Sequence, residues 1–330
     1  MNAARVMAIG LAVLGTFMEP ASAQTAPKKV TLVLNYTLSG RDAIFTYGME
    51  KGYFKEAGFD LEIVPSQGSN FVVSVIDGGK GDFGILETST LIQGIDKGAK
   101  VRAYQALYES TSNGLASLKP FPDVQSVLAA KIGAPAASST RSVLPVIVKQ
   151  KGLDPANIKW ETVTTSSIIP LLMNGSIDAM GAALTSDMPI LYKLGPAQGK
   201  RIYYTRYYDL GYDAIGAVFI TSNERLANRP EEVRAFAAAT AKSINGALDN
   251  PEEATKILIK RYSTMEYETT LGQLQGTSEA IRTPYAAQHG FGFVTEDRVK
   301  RTIELTKLGL EVKSDVQPSQ VFALEMATRK

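Results

Sequence analysis

Cysteine is absent from the 330 residues, and histidine and tryptophan occur once each. The first absence excludes disulfides, a thiol nucleophile, thiolate metal sites and a lipid attached through cysteine. A lone histidine excludes a His-rich metal site. That residue, His289, sits between Gln288 and Gly290 with no Asp or Ser motif beside it, so it reads as a surface residue rather than a catalytic base. Neither sign of charge dominates: 35 Lys and Arg against 33 Asp and Glu give +2, and no basic field points to nucleic acid. Beyond the N-terminal segment no uninterrupted apolar run approaches membrane-spanning length. The carboxylates are scattered along amphipathic helices as solvated charges, with no paired arrangement that suggests hydrolysis. No catalytic residue, metal site or cofactor is expected.

The N-terminal segment reads as an address. Arg5 supplies a positive end, Val6 to Phe17 an apolar stretch too short to span a bilayer, and Ala21-Ser22-Ala23 a small-x-small cleavage pattern. The expectation is a signal peptide over residues 1–23, a mature chain starting near Gln24, and a periplasmic address.

What is present is an alternating α/β pattern. Hydrophobic residues make up 45% and charged residues 21%, an ordinary globular balance, and the length favours two lobes over one core. Val30, Leu32 and Leu34 alternate as a strand, whereas Ile44, Tyr47, Gly48 and Tyr53 fall at helical spacing. Gly58 then punctuates the chain before a second extended run through Leu61, Ile63 and Val64. Such a βαβ unit predicts parallel sheets with polar groups gathered at the strand ends. A local echo supports two similar lobes. Val75-Ile76-Asp77-Gly78-Gly79-Lys80-Gly81-Asp82-Phe83 is matched by Leu171-Leu172-Met173-Asn174-Gly175-Ser176-Ile177-Asp178-Ala179. The spacing Gly79-x-Gly81-x-x-Gly84 fits a dinucleotide fingerprint, but here it follows a helix and opens a strand, so it reads as a helix stop and turn. Ser110 to Gly114 and Ile215 to Thr221 are read as crossings between the lobes. That assigns 27–112 with 217–330 to one lobe and 113–216 to the other. The tyrosines at 203, 204, 207, 208 and 212 read as packing and hinge surface.

Polar turns recur where strands give way to helices, and each gathers hydroxyls and free backbone N–H groups. One turn alone is a cap. Several turns on two facing sheets suggest a cleft whose donors hold an anionic or carbonyl-bearing ligand. The candidates from these turns are Gln67 and Ser69, Thr88 and Ser89, Ser139 and Thr140, with Asp187 after the later hydroxyl pair. Tyr36 could stack on a flat ligand. Arg141 is either a two-point grip for a carboxylate or sulfonate, or an ordinary surface arginine. Asp42 would complement Arg141 by accepting N–H donors from the other end of the ligand.

The run Met49-Glu50-Lys51-Gly52-Tyr53-Phe54-Lys55-Glu56-Ala57-Gly58-Phe59-Asp60-Leu61-Glu62-Ile63 resembles the signature of the nitrate/sulfonate/taurine and thiamine-precursor solute-binding proteins of ABC importers. Gly79 to Gly84 and Asn174 to Ala179 resemble two further turns of that family. The likeness extends over nearly the whole mature chain. It implies a type II periplasmic binding protein: two α/β lobes joined by two crossings, closing on one small solute. It also implies a monomer docking on a membrane permease with its ATPase. In the pyrimidine-binding branch an aromatic, a Pro-Asn turn and a histidine correspond to Tyr36, Leu38-Ser39 and Asp42 here, a departure from that branch. The eukaryotic pyrimidine-synthesising enzymes on this scaffold use a histidine and a cysteine-rich motif, neither of which this chain has. Alternatives left open are an exported or precursor-processing enzyme on the same scaffold, and a sensing subunit that docks on a receptor.

Overall fold

The computed structural model describes residues 26–326 apart from 67, 137 and 165, so the expected signal peptide and Gln67 lie outside the described residues. Two five-stranded sheets carry the fold. The first contains β1 (Lys28–Val33), β2 (Phe59–Val64), β3 (Phe83–Glu87) and β4 (Val101–Ala106). The second contains β5 (Asn113–Ser117), β6 (Lys131–Ala134), β7 (Lys159–Thr162), β8 (Ala179–Ala183) and β9 (Tyr203–Arg206). The chain then returns to the first sheet as β10 (Ala217–Ser222).

The spatial orders are β2-β1-β3-β10-β4 and β7-β6-β8-β5-β9, the same arrangement twice. β1, β2 and β3 run parallel in the first sheet and β6, β7 and β8 in the second, as the βαβ pattern predicts. The parallel expectation holds for these strands, and the sheets as wholes are mixed. β10 runs antiparallel to β3 and β4, and β5 antiparallel to β8 and β9. The reason is topological: each of these strands arrives from the other sheet rather than by a helical crossover, so it enters from the opposite end. The run Ile215 to Thr221, read as a crossing, is mostly this strand. Its central position covers both faces, and the continuous apolar stretch that results shows no alternation to betray it.

Each sheet is covered on both faces. Phe83, Tyr104 and Phe219 of the first sheet pack against Phe236 of the long helix Pro230–Asp249, while Val33, Leu86 and Val218 face Ile303 and Phe322. Leu115 and Ile132 of the second sheet lie against Leu144 and Ile147, and Met180 on the opposite face lies against Leu172 and Met188.

The repeated motif has a physical meaning. Gly79 and Gly175 stop their helices at φ of 67° and 79°, left-handed values that a side chain would strain. Three residues on, Asp82 accepts the Thr31 backbone N–H at 2.8 Å, and Asp178 accepts that of Lys131 at 2.8 Å. Each aspartate therefore ties its turn to the neighbouring parallel strand. The glycine-rich spacing serves packing: a Cβ on Gly84 would lie 2.4 Å from a methyl of Val72 in the helix Ser69–Asp77.

Residues 107–112 and 207–216 link the sheets and hydrogen-bond to each other. Gly216 N donates to Tyr108 O at 3.0 Å and Thr111 N to Ala214 O at 3.0 Å. Arg298 clamps both, donating to Glu109 O at 2.8 Å and to Asp213 at 2.7 Å. Tyr207 and Tyr212 are buried and Tyr204 donates to Ser112 O at 2.6 Å, so most of the tyrosine group packs around these links.

The helix Tyr267–Ile281 crosses from one sheet's helices toward the other's, and Glu266 caps its start. The Thr269 hydroxyl, then the backbone N–H groups of Thr269 and Glu268, lower the Glu266 carboxyl from 4.5 to about 2. A carboxyl lowered in the folded state stabilises above its unfolded pKa, and that contribution is lost as pH falls toward the folded value. Glu266→Gln should therefore lower the melting temperature at pH 7 and flatten its fall between about pH 4.5 and 2. A pH series of melting curves on both proteins checks this, and an unchanged acid slope contradicts it.

Candidate functional site

Between the sheets, with the crossings at its back, lies a cavity of about 640 Å³. Its first wall comes from Tyr36, Ser39 and Arg41 after β1, Ser69 at a helix start, and Glu87 at the end of β3. Facing them are Ser139 and Thr140, which open the helix Ser139–Gln150, and Asp187, which opens the helix Asp187–Ala197. Tyr108 and Tyr207 of the crossings and Asn113 at the start of β5 contribute the back. A second cavity, of about 400 Å³, lies between Met49, Phe54 and Ile257 and draws its walls from the first sheet's side alone.

Several predicted residues meet here. Tyr36 is 55% exposed at the edge of the cavity. Ser69 Oγ accepts the Glu87 backbone N–H at 3.2 Å, joining the helix start to the strand end. Thr140 is buried under Gly181, where a Cβ would lie 1.8 Å from its Oγ1, so only glycine leaves room there. The Asp187 carboxylate accepts from Ala183 N at 2.8 Å and Ser186 Oγ at 3.2 Å. Burial pushes its pKa up, and those two bonds oppose the rise.

Other predicted residues are placed off the cavity. Asp42 is fully buried, its carboxylate accepting from Arg41 Nε at 3.1 Å and Ser39 N at 2.9 Å. Thr88 is also fully buried and donates to Gly216 O at 2.6 Å, which holds the return crossing rather than a ligand. Ser89 follows it in the helix Thr88–Asp96, outside the lining. Arg141 turns outward: its N–H groups go to Ala134 O, Pro135 O and Thr162 Oγ1, and its guanidinium lies 4.7 Å over the Trp160 ring. The carbonyls of the turn after β6 thus take the donors that a ligand would have used.

The sequence reading passed over Arg41, Glu87 and Gln273. Arg41 is 8% exposed, donates Nη1 to Asn35 Oδ1 at 3.0 Å, and has no acceptor for Nη2. Burial raises the Glu87 carboxyl, and the nearby Arg41 charge partly offsets it. Tyr108 beside them is pushed up to about 12 by burial, so it stays a neutral phenol. Gln273 spans the cavity: Oε1 accepts Gly40 N–H at 2.7 Å, and Nε2 donates to Ser186 O at 3.4 Å. Only a contact between distant helices reveals that residue. His289 is half-buried away from the cavity, its ring tilted 40° to Tyr285 at 4.4 Å and stacked on Phe293 at 5.8 Å.

The model of the NMT1/THI5-like family matches residues 42–254, more than half of the chain. The chain belongs to the NMT1/THI5-like family. Among curated proteins, two Saccharomyces cerevisiae members named 4-amino-5-hydroxymethyl-2-methylpyrimidine phosphate synthase, THI5 and THI12, are each 26% identical over 239 residues, covering 69% of this chain and 69% of theirs. The periplasmic aliphatic sulphonate-binding protein SsuA of Escherichia coli superposes with a TM-score of 0.64 at 14% identity, over 86% of this chain and 87% of that one. The alkanesulfonate-binding protein SsuA of Xanthomonas axonopodis pv. citri, bound to MOPS, gives 0.62 at 12% identity, over 90% and 98%. At such identities the likeness establishes the fold: this NMT1/THI5-like protein has the two-lobed α/β architecture of type II periplasmic binding proteins. Among its described residues no helix is long and apolar enough to cross a membrane, and no cluster of His, Asp and Glu could hold a metal ion.

Proposed function

We propose that this NMT1/THI5-like protein is the periplasmic solute-binding component of an ABC importer. The observation that carries the reading is the cavity itself: a single space walled by helix starts of both sheets, with two mutually bonded crossings behind it. The lobes are taken as 27–112 with 217–330, and 113–216. A small organic solute touching Ser69 and Glu87 on one side and Ser139, Thr140 and Asp187 on the other gains its full set of contacts only when the lobes are together. Its binding energy therefore shifts the equilibrium toward the closed form. Gln273, already bonded to both sides, biases the same equilibrium. The closed monomer would then present a surface to a membrane permease and its ATPase, consistent with the binding-protein neighbours.

A thermal-shift panel of sulfonates, aromatic carboxylates, amides, pyrimidines and nitrate tests this. A ligand that binds only the folded state stabilises it by about 2.7 kcal/mol at a hundred times its Kd. At least one compound should raise the melting temperature saturably and come back unchanged. The yeast relatives' names favour a second reading, a precursor-processing enzyme on the same scaffold. Consumption of a panel compound by the purified chain would support that reading and overturn the first.

A further inference from the structure

We propose that Arg41 and Glu87 form a two-point reader in the first wall of the cleft, specific for a neutral amide or ureide edge: a carbonyl oxygen beside an N–H. The inference rests on the solute-binding reading and narrows it to a ligand class.

The guanidinium is fixed before any ligand arrives. Nε is held by Asp42 Oδ1 at 3.1 Å and Nη1 by Asn35 Oδ1 at 3.0 Å. Asp42 is in turn anchored by Ser39 N at 2.9 Å and has no exposed surface. Nη2 is left as a buried donor without an acceptor in a residue that lines the cavity. An unsatisfied buried donor of this kind costs about 1–3 kcal/mol, which an incoming acceptor restores. Proteins seldom leave such a group unless something else completes it.

Glu87 supplies the complement. It lines the same wall, its backbone N–H is already taken by Ser69 Oγ, and no described residue hydrogen-bonds its carboxylate. Arg41 and Glu87 line one cavity, and the Arg41 charge acts on the Glu87 carboxyl through space, so the two side chains offer a donor and an acceptor to the same space.

Charge decides among ligands. The Arg41 cation is already balanced by Asp42, and Glu87 adds a second carboxylate. A lone sulfonate or carboxylate at this wall would meet Glu87 with no uncommitted cation to offset it, and burial strengthens that repulsion. A neutral amide or ureide places its carbonyl on Nη2 and its N–H on Glu87, and brings no charge to desolvate. Arg141, the other cation considered for an acid, spends its donors on Ala134, Pro135 and Thr162.

The test uses hydantoin and nicotinamide as neutral probes and ethanesulfonate as the anionic one, with calorimetric titration and thermal shift on the full mature chain. The expected result is binding of at least one neutral probe and none of ethanesulfonate. Glu87→Gln, which keeps size and hydrogen-bonding shape, should weaken the neutral probe about tenfold or more, since it replaces a charged acceptor. Arg41→Lys should weaken it too, and a melting curve of that variant separates lost binding from lost folding. Ethanesulfonate binding without either neutral probe overturns the inference and leaves solute capture standing. No binding of any probe, or unchanged neutral-probe affinity in Glu87→Gln, also overturns it.

Discussion

Phe236→Ala should destabilise the protein by about 3–5 kcal/mol, the range for removing a large aromatic from a packed core. Phe236 has no exposed surface and stacks on Phe83 with ring centroids 3.8 Å apart and planes 2° from parallel. Phe59 meets it edge-on at 5.6 Å, and Phe54 lies tilted by 37° at 5.7 Å. Truncation would open a void beneath the helix Tyr53–Glu56, β2 and β3 at once, because these rings come from those three elements. Phe83 begins the strand that Glu87 ends, so the loss should also blur the cleft wall. Urea unfolding of the variant measures the effect, and a cost below 1 kcal/mol would mean the site collapses and refills far better than close packing allows.

Asp82→Ala should cost about 3 kcal/mol or more, and Asp178→Ala only about 1 kcal/mol, although the two occupy equivalent places in the repeated motif. Both accept one strand N–H. Asp82 also pairs with Arg225, which pairs with Glu232 and lies 5.3 Å over the Phe83 ring. The Asp82 and Arg225 side chains are only 22% and 14% exposed, so removing the acid takes one of two carboxylate partners from a largely buried cation and leaves the Thr31 N–H without its acceptor. Asp178 is exposed, and water replaces it at the Lys131 N–H. Equal costs for the two variants, measured by urea unfolding, would contradict this assignment.

The same contrast explains how much the sequence could tell. The echo around Asp82 and Asp178 was legible because a helix stop, a left-handed glycine and a strand tie demand fixed residue types at fixed spacing. The opening βαβ unit was legible for the same kind of reason: alternation and helical spacing are local. β10 and β5 were not, since a strand central to a sheet is apolar on both faces and a strand inserted from the other lobe leaves no local sign of its direction. The turns that open onto the cleft, with Ser69, Ser139 and Thr140, followed from hydroxyls placed between strand and helix. Which charged residue of a turn faces the cavity did not follow. Arg41 and Asp42 are neighbours, and only packing decides that the acid is buried and the base lines the cavity. Gln273 lies mid-helix, with its Gly40 partner far away in the chain, and no spacing rule links them.

Closure of the lobes around a solute is the central claim, and the absence of cysteine makes it directly measurable. The edge strands β2 and β7 lie at the far side of each sheet from the crossings, and Glu62 and Glu161 are exposed on them. Labels on the double variant Glu62→Cys/Glu161→Cys report the separation of the lobes where rotation about the crossings moves them most. Titration with a solute that raises the melting temperature should shorten that distance saturably, with a midpoint that matches its Kd. A solute that binds with the same affinity and leaves the distance unchanged would contradict it.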